Sequence, residues 1–153
     1  MGGGREDLEW LRDPYRISTD PALLDIEVIH GFLTASYWAT GIPRATVERA
    51  IASSLPFGLY ADGRQIGFAR VISDHATFAY LCDVFVLPDF RHRGLARWLC
   101  EVAVGHPGLQ GIRRWILATR DAHPLYAKLG FAALANPVLF MEIRDDDIYL
   151  RNA

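Results

Sequence analysis

DVFVLPDFRHRGLARWLCEVAV, residues 83–104, decides how this chain is read. It opens on Val84, Phe85, Val86 and Leu87, which are apolar and β-prone. Pro88 has no N–H and a fixed φ, so a regular strand ends there. Arg91-His92-Arg93-Gly94-Leu95-Ala96 comes next, and Leu95, Leu99, Val102 and Ala103 then recur at helical spacing. The order is strand, short basic turn, helix. A helix start has unpaired N–H groups and the positive end of the macrodipole, which together hold an anion, phosphate most readily. Arg91 and Arg93 add positive charge, and Gly94 lets the backbone approach a ligand closely. An ordinary strand–helix connection with a solvated basic loop fits the same spacing, because one glycine and two arginines are a weak signature.

Upstream of this stretch the pattern changes period. Residues 1–14 are polar apart from Trp10 and Leu11 and read as an N-terminal arm, with Gly2, Gly3 and Gly4 as a flexible lead-in. Tyr15 to Ser18 reads as a short strand, broken by Thr19-Asp20-Pro21. Asp25 is placed to cap a helix whose apolar face is Ile26, Ile29, His30, Phe32 and Leu33, ending near Tyr37 and Trp38. Pro43 opens a second helix with Val47, Ala50, Ile51 and Leu55 inward. From Phe57 the reading is β: residues 57–60, an Asp62-Gly63 hairpin turn, residues 65–72, a turn at Ser73-Asp74-His75, and residues 76–87.

Downstream, Gly105-His106-Pro107-Gly108 stops the helix. Residues 112–119 (IRRWILAT) read as a strand parallel to residues 76–87, since a strand–helix–strand order implies a right-handed crossover. Asp121 is placed to cap a short helix over residues 122–128, which Gly130 ends. Residues 131–135 and 138–143 read as a final antiparallel pair, and Asp145, Asp146 and Asp147 as a solvated acidic end. The fold class is α/β (α+β), a mixed central sheet of about seven strands with about four helices, in one domain spanning residues 15–153.

Bulk properties narrow the function. The chain has 153 residues, 51% hydrophobic and 22% charged, with a net charge of −2. That balance gives no general attraction for nucleic acid or an anionic membrane surface. Cys82 and Cys100 sit in apolar segments and read as buried thiols of a reducing compartment, with no metal-ligand spacing around them. There is no signal-peptide core and no apolar run of bilayer length, so a cytoplasmic protein is the expectation.

Two motifs turn this order of elements into a resemblance. Arg91-x-x-Gly94-x-Ala96 follows one strand, and Ala122-x-x-x-Tyr126-x-Lys128-x-Gly130-Phe131 follows the next. Together, in this order, they resemble the pyrophosphate loop and the last-helix signature of the GNAT family, the acetyl-CoA-dependent N-acetyltransferases. The likeness covers residues 15–143, with Ala96 at the third glycine-like position and Thr119 where many members carry Asn. It implies a GNAT fold in which the fourth and fifth predicted strands are parallel and splay apart. It implies acetyl-CoA as co-substrate and no metal. The coenzyme would be held by Phe85, Val86, Arg91, His92, Arg93, Gly94, Leu95, Ala96, Ala118, Thr119 and Tyr126, the pantetheine arm pairing with the splayed strand edges. Tyr126 matches the family's general acid; a core tyrosine packed on Phe131 is the competing reading. Homodimerisation is a further family-level expectation.

The resemblance also implies an acceptor side, to which further residues can be assigned. Asp83 interrupts an apolar strand, so it is a carboxylate with a raised pKa or a charged partner. It is a candidate to draw a proton from an amine, or to anchor a neighbouring loop. Tyr37 and Trp38 would wall an acceptor or plug the space between the first two helices. His30 lies on a helix face as a candidate substrate contact. The activity expected is acetyl transfer from acetyl-CoA to a primary amine of a small molecule by direct attack. The alternative is a non-catalytic acyl-CoA-binding module on the same fold.

Overall fold

The computed structural model describes residues 6–151; the lead-in at Gly2, Gly3 and Gly4 lies outside them. Six strands form one sheet in chain order: β1 (Glu9–Arg12), β2 (Tyr15–Ser18), β3 (Leu55–Ala61), β4 (Arg64–Ser73), β5 (Phe78–Val86) and β6 (Arg114–Ile116). All neighbours are antiparallel except β5 and β6, which run parallel. The helices are α1 (Ile26–Ala35), α2 (Arg44–Ala52), α3 (Leu95–Val104), α4 (His123–Ala127) and α5 (Ile148–Arg151). The mixed α/β architecture and the parallel last pair are as the sequence implied.

Local chemistry explains the turns. Asp62 (φ 51°) and Gly63 (φ 77°) both take the left-handed conformation that a tight hairpin demands. In the β4–β5 turn the Asp74 carboxylate accepts from the N–H groups of Ala76, Thr77 and Phe78 and from the Thr77 hydroxyl. Asp25 caps α1 as predicted, accepting from the amides of Glu27 and Val28. Gln65, buried in β4, ties that cap to the sheet: its Oε1 accepts from the Asp25 amide at 2.7 Å and its Nε2 donates to the Gly67 carbonyl.

The sheet lies between two layers, as a sheet with two apolar faces requires. One face packs Phe57, Leu59, Ile66, Val71 and Leu81 against Leu95, Trp98, Leu99 and Ala103 of α3. The other packs Phe68 and Phe85 against Ile29 and Leu33 of α1 and Val47 of α2.

Four local expectations are corrected. Residues 9–12, read as part of a polar arm, form β1: Trp10 packs on Phe57 with ring centroids 6.3 Å apart, and Glu9 pairs with Arg16 at 3.1 Å. Four residues are too few to show a period. The predicted final pair, residues 131–135 and 138–143, does not form; Ala132, Ala133 and Ala135 have little β preference, and Pro137–Leu139 is a 3-10 turn. The strand predicted over residues 112–119 is trimmed to Arg114–Ile116, because only Phe78–Tyr80 of β5 runs beside it. Asp121 does not cap α4; the Thr119 hydroxyl accepts from the Ala122 amide instead.

Candidate active site

β5 and β6 share three register pairs, Phe78 with Arg114, Ala79 with Trp115 and Tyr80 with Ile116. Past Tyr80 they separate, and the rest of β5 has no strand on that side among the described residues. A bulge lies where they part. Phe68 faces Phe85, but two residues further along β4 Arg70 faces Cys82, so β5 carries one extra residue. Asp83 absorbs it at φ 54°, a left-handed conformation uncommon for a residue with a side chain. Beyond the bulge the Leu87 amide donates to the Ile66 carbonyl on the β4 side. Strand alternation therefore turns the N–H and C=O of Val86 toward the opening and those of Phe85 toward β4. Phe85 contributes its ring, stacked on Phe32 at 4.1 Å.

The basic loop follows directly. Arg91 Nε donates to the Val86 carbonyl at 3.0 Å, which folds the loop back on the strand end. Arg93 donates to the Tyr15 hydroxyl at 2.8 Å and to the Asp89 carbonyl, and its guanidinium lies over Phe90. His92 (φ 64°) and Gly94 (φ 74°) are both left-handed and exposed. Gly94 is the N-cap of α3, with no side chain capping the helix and open space where a Cβ would stand. Leu95 is buried and Ala96 half-buried, so they hold the helix on the sheet while its first amides face outward. Uncapped amides at the start of a ten-residue helix are a geometry that can hold an anion.

Asp83 is the hub on the other side. Its Oδ2 pairs with Arg70 Nε at 2.9 Å, with side chains only 12% and 14% exposed, and its Oδ1 accepts from Trp38 Nε1 at 3.0 Å. Arg70 also donates to the Ser54 hydroxyl at 2.8 Å. Tyr37 packs edge-on to Trp38 at 5.1 Å and its hydroxyl accepts from the Arg120 amide, while the Arg120 guanidinium lies 3.9 Å above its ring. The loop between α1 and α2 thus touches both arms of the opening: β5 through Trp38 and the chain after β6 through Tyr37. His30 is spent on the backbone, its Nε2 lying 3.0 Å from the Ile42 carbonyl, and so braces this loop.

Tyr126, on α4, is buried and packs edge-on to Phe131 at 6.0 Å. Burial pushes its phenol well above the ordinary tyrosine value, with Cys100, Tyr37 and Asp121 adding to the shift. The phenol therefore keeps its proton at neutral pH. Ala118 and Thr119 lie beyond β6 in irregular chain, Thr119 holding the start of α4. Both cysteine thiols are pushed up to about 12 by burial.

Arg70 and Ser54 were not singled out from sequence. A partial signal was present for Arg70, a cation inside one apolar strand with a carboxylate, Asp83, inside the next, but not the register that pairs them.

A family model for the GNAT acetyltransferase domain matches residues 53–133. A protein of Gibberella zeae named as an acetyltransferase is 34% identical over 142 aligned residues, covering 78% of this chain and 79% of that one. A crystal structure from Xanthomonas campestris pv. campestris, described as an acetyltransferase of the GNAT family, is 53% identical, covers 88% of this chain and 96% of its own, and superposes with a TM-score of 0.86. A Clostridium acetobutylicum structure, described as an acetyltransferase with acetyl-CoA, shares the fold at 17% identity and a TM-score of 0.61, covering 85% of this chain and 94% of its own.

Proposed function

The chain belongs to the GNAT acetyltransferase family, and from that premise we propose that it transfers an acetyl group from acetyl-CoA to a primary amine of a small molecule, with both substrates bound together. One observation carries the reading: α3 begins on an uncapped, left-handed Gly94, one short loop past the strand that parts from its neighbour. A diphosphate joined to an extended amide arm fits these two features, the amides at the start of α3 taking the charge and the outward N–H of Val86 pairing with the arm. The arginines act indirectly, Arg91 and Arg93 shaping the loop through the Val86 and Asp89 carbonyls and the Tyr15 hydroxyl.

When bound, the coenzyme supplies an activated acetyl thioester. The protein must orient the amine, hold the oxyanion and protonate the departing thiolate. Tyr126 is the proton donor in this proposal, since burial keeps its phenol protonated. Asp83 meets the acceptor: each oxygen spends a lone pair on Trp38 or Arg70 and keeps another for an ammonium or a water. Tyr37 and Trp38 form the aromatic wall beside it, suited to a cationic group. A cytoplasmic setting suits the two protonated, unbridged cysteines.

The test is thiol release from acetyl-CoA across a panel of amines, polyamines, amino acids and aminoglycosides, with coenzyme binding followed separately by calorimetry. Binding with turnover of at least one amine supports the proposal. Binding without turnover of any supports the non-catalytic alternative, and no binding removes both.

A further inference from the structure

Arg70 and Asp83 form a mostly buried ion pair in which neither side chain has its bonding capacity filled. Arg70 spends Nε on Asp83 and Nη1 on Ser54, and a guanidinium has further N–H donors. Its Nη2 has no acceptor among the described residues, yet it is not sealed from solvent. Each Asp83 oxygen accepts one bond and keeps a second lone pair. The cleft therefore presents an open cationic donor and an open anionic acceptor side by side, with 2.9 Å between Arg70 Nε and Asp83 Oδ2.

A molecule with both charges on one carbon matches this pair. In an α-amino acid the ammonium can sit on Asp83 while the carboxylate takes the Nη2 donors of Arg70. A simple amine satisfies Asp83 alone and leaves those donors to water. A polyamine fits worse, because the charged side chains at the Tyr37–Trp38 wall are one carboxylate and two guanidinia, Arg70 and Arg120, and like charges repel. The sheet beside the pair supplies a place for a side chain. Ile72 follows Arg70 on the same face of β4, and Cys82 and Tyr80 are their register partners on β5. Ile72 is 43% exposed and the other two are half-buried, and none of the three joins the cluster under α1 and α2. An uncovered floor of this composition suits an apolar group.

We propose that the acceptor is a free α-amino acid with an apolar side chain, and that Arg70 selects it by its carboxylate. The proposal rests on the acetyl-transfer reading of the same site. The ammonium first gives one proton to solvent by way of Asp83. The freed nitrogen then attacks the acetyl carbonyl carbon, and the carbon–sulfur bond breaks as Tyr126 gives its proton to the departing sulfur. The nitrogen's second proton restores Tyr126. The net products are an N-acetyl amino acid, a free thiol and one proton. The product has lost the ammonium that Asp83 held, which favours its release.

The experiment follows thiol release with leucine, methionine and phenylalanine, each beside its amide and its decarboxylated amine, and with glutamate and spermidine. The acids should exceed their amides and amines in kcat/KM by at least about tenfold, the cost of one charged hydrogen bond left unmade. Leucine should also exceed glutamate and spermidine. Arg70→Lys keeps a cation beside Asp83 but loses the planar fork, so it should erase most of the preference for acid over amide. The wild-type comparison stands whether or not that variant folds. Equal kcat/KM for acid, amide and amine overturns the proposal and leaves acetyl transfer standing. Turnover of other amines but of none of these acids overturns it too, whereas coenzyme binding with no turnover of any amine removes the transfer reading itself. Glutamate used as well as leucine removes the apolar floor from the acceptor side.

Discussion

Trp38 Nε1 donates to Asp83 Oδ1 at 3.0 Å, so a loop between two helices is bonded to the residue at which β5 leaves strand geometry. Arg70 holds the other oxygen from β4. A left-handed, non-glycine residue costs about 1–2 kcal/mol unless its surroundings hold it there, and these two bonds are what hold it.

Removing the carboxylate should therefore cost stability as well as function. Asp83→Ala strands the Arg70 guanidinium in a mostly buried place, and we expect a loss of about 3 kcal/mol in urea unfolding. Asp83→Asn keeps an acceptor for Trp38 and should lose less. In both variants KM for the amine should rise while the coenzyme Kd stays put. A coenzyme Kd that weakens as much as the amine KM rises would separate Asp83 from the acceptor.

Gly94 discriminates between backbone strain and ligand binding. A Cβ there meets nothing within 4 Å, so Gly94→Ala suffers only from the positive φ, about 1 kcal/mol. Gly94→Glu adds an anion where the proposed reading puts the diphosphate, and calorimetry should show coenzyme affinity down by about tenfold or more, roughly 1.4 kcal/mol. Equal affinities for Gly94→Glu and wild type would remove the anion site from α3.

Tyr126→Phe deletes one hydroxyl and leaves the ring packing on Phe131. Pre-steady-state acetyl transfer should slow about a hundredfold, the lower end for a lost general acid, with coenzyme Kd unchanged. Because burial raises this phenol, Tyr126 should produce no alkaline fall in wild-type rate below the ordinary tyrosine value of about 10. A rate within twofold of wild type would end the proton-donor assignment.

Asp74 predicts an acid limb in stability. The Thr77 hydroxyl, then the amides of Thr77, Ala76 and Phe78, hold its carboxyl well below the usual range. The stabilisation is complete above the unfolded value of about 3.9 and is lost as pH falls through the lowered native one. Asp74→Ala should thus lower Tm by a constant amount from pH 7 to 5, and the gap should close below about pH 4. Thermal melts across that range would show it; a gap that widens in acid would contradict the assignment.

The legible parts of the fold were those written in long periods or in turn chemistry. The meander from β3 to β5, the cap at Asp25 and the unit β5–α3–β6 all announce themselves within ten to twenty residues of sequence. β1 did not, since its stability rests on Trp10 meeting Phe57 more than forty residues away. The missing last pair misled for the opposite reason: Leu139, Met141 and Ile143 have strand spacing but no strand beside them among the described residues. In the site, Gly94 and Tyr126 could be found from motif spacing. Arg70 could not be given a partner until the register across the bulge placed it opposite Cys82, one residue from Asp83.

The uncapped start of α3 means that the two halves of the cleft are specified in different alphabets. On the proposed reading, the half that would face the anion presents main-chain amides and the backbone conformation at Gly94, in a loop held by Arg91 and Arg93. The half that would face the amine presents side chains: Tyr37, Trp38, Arg70 and Asp83. If the proposed reading holds, acceptor preference should be open to change at Tyr37 and Trp38 with donor recognition left standing.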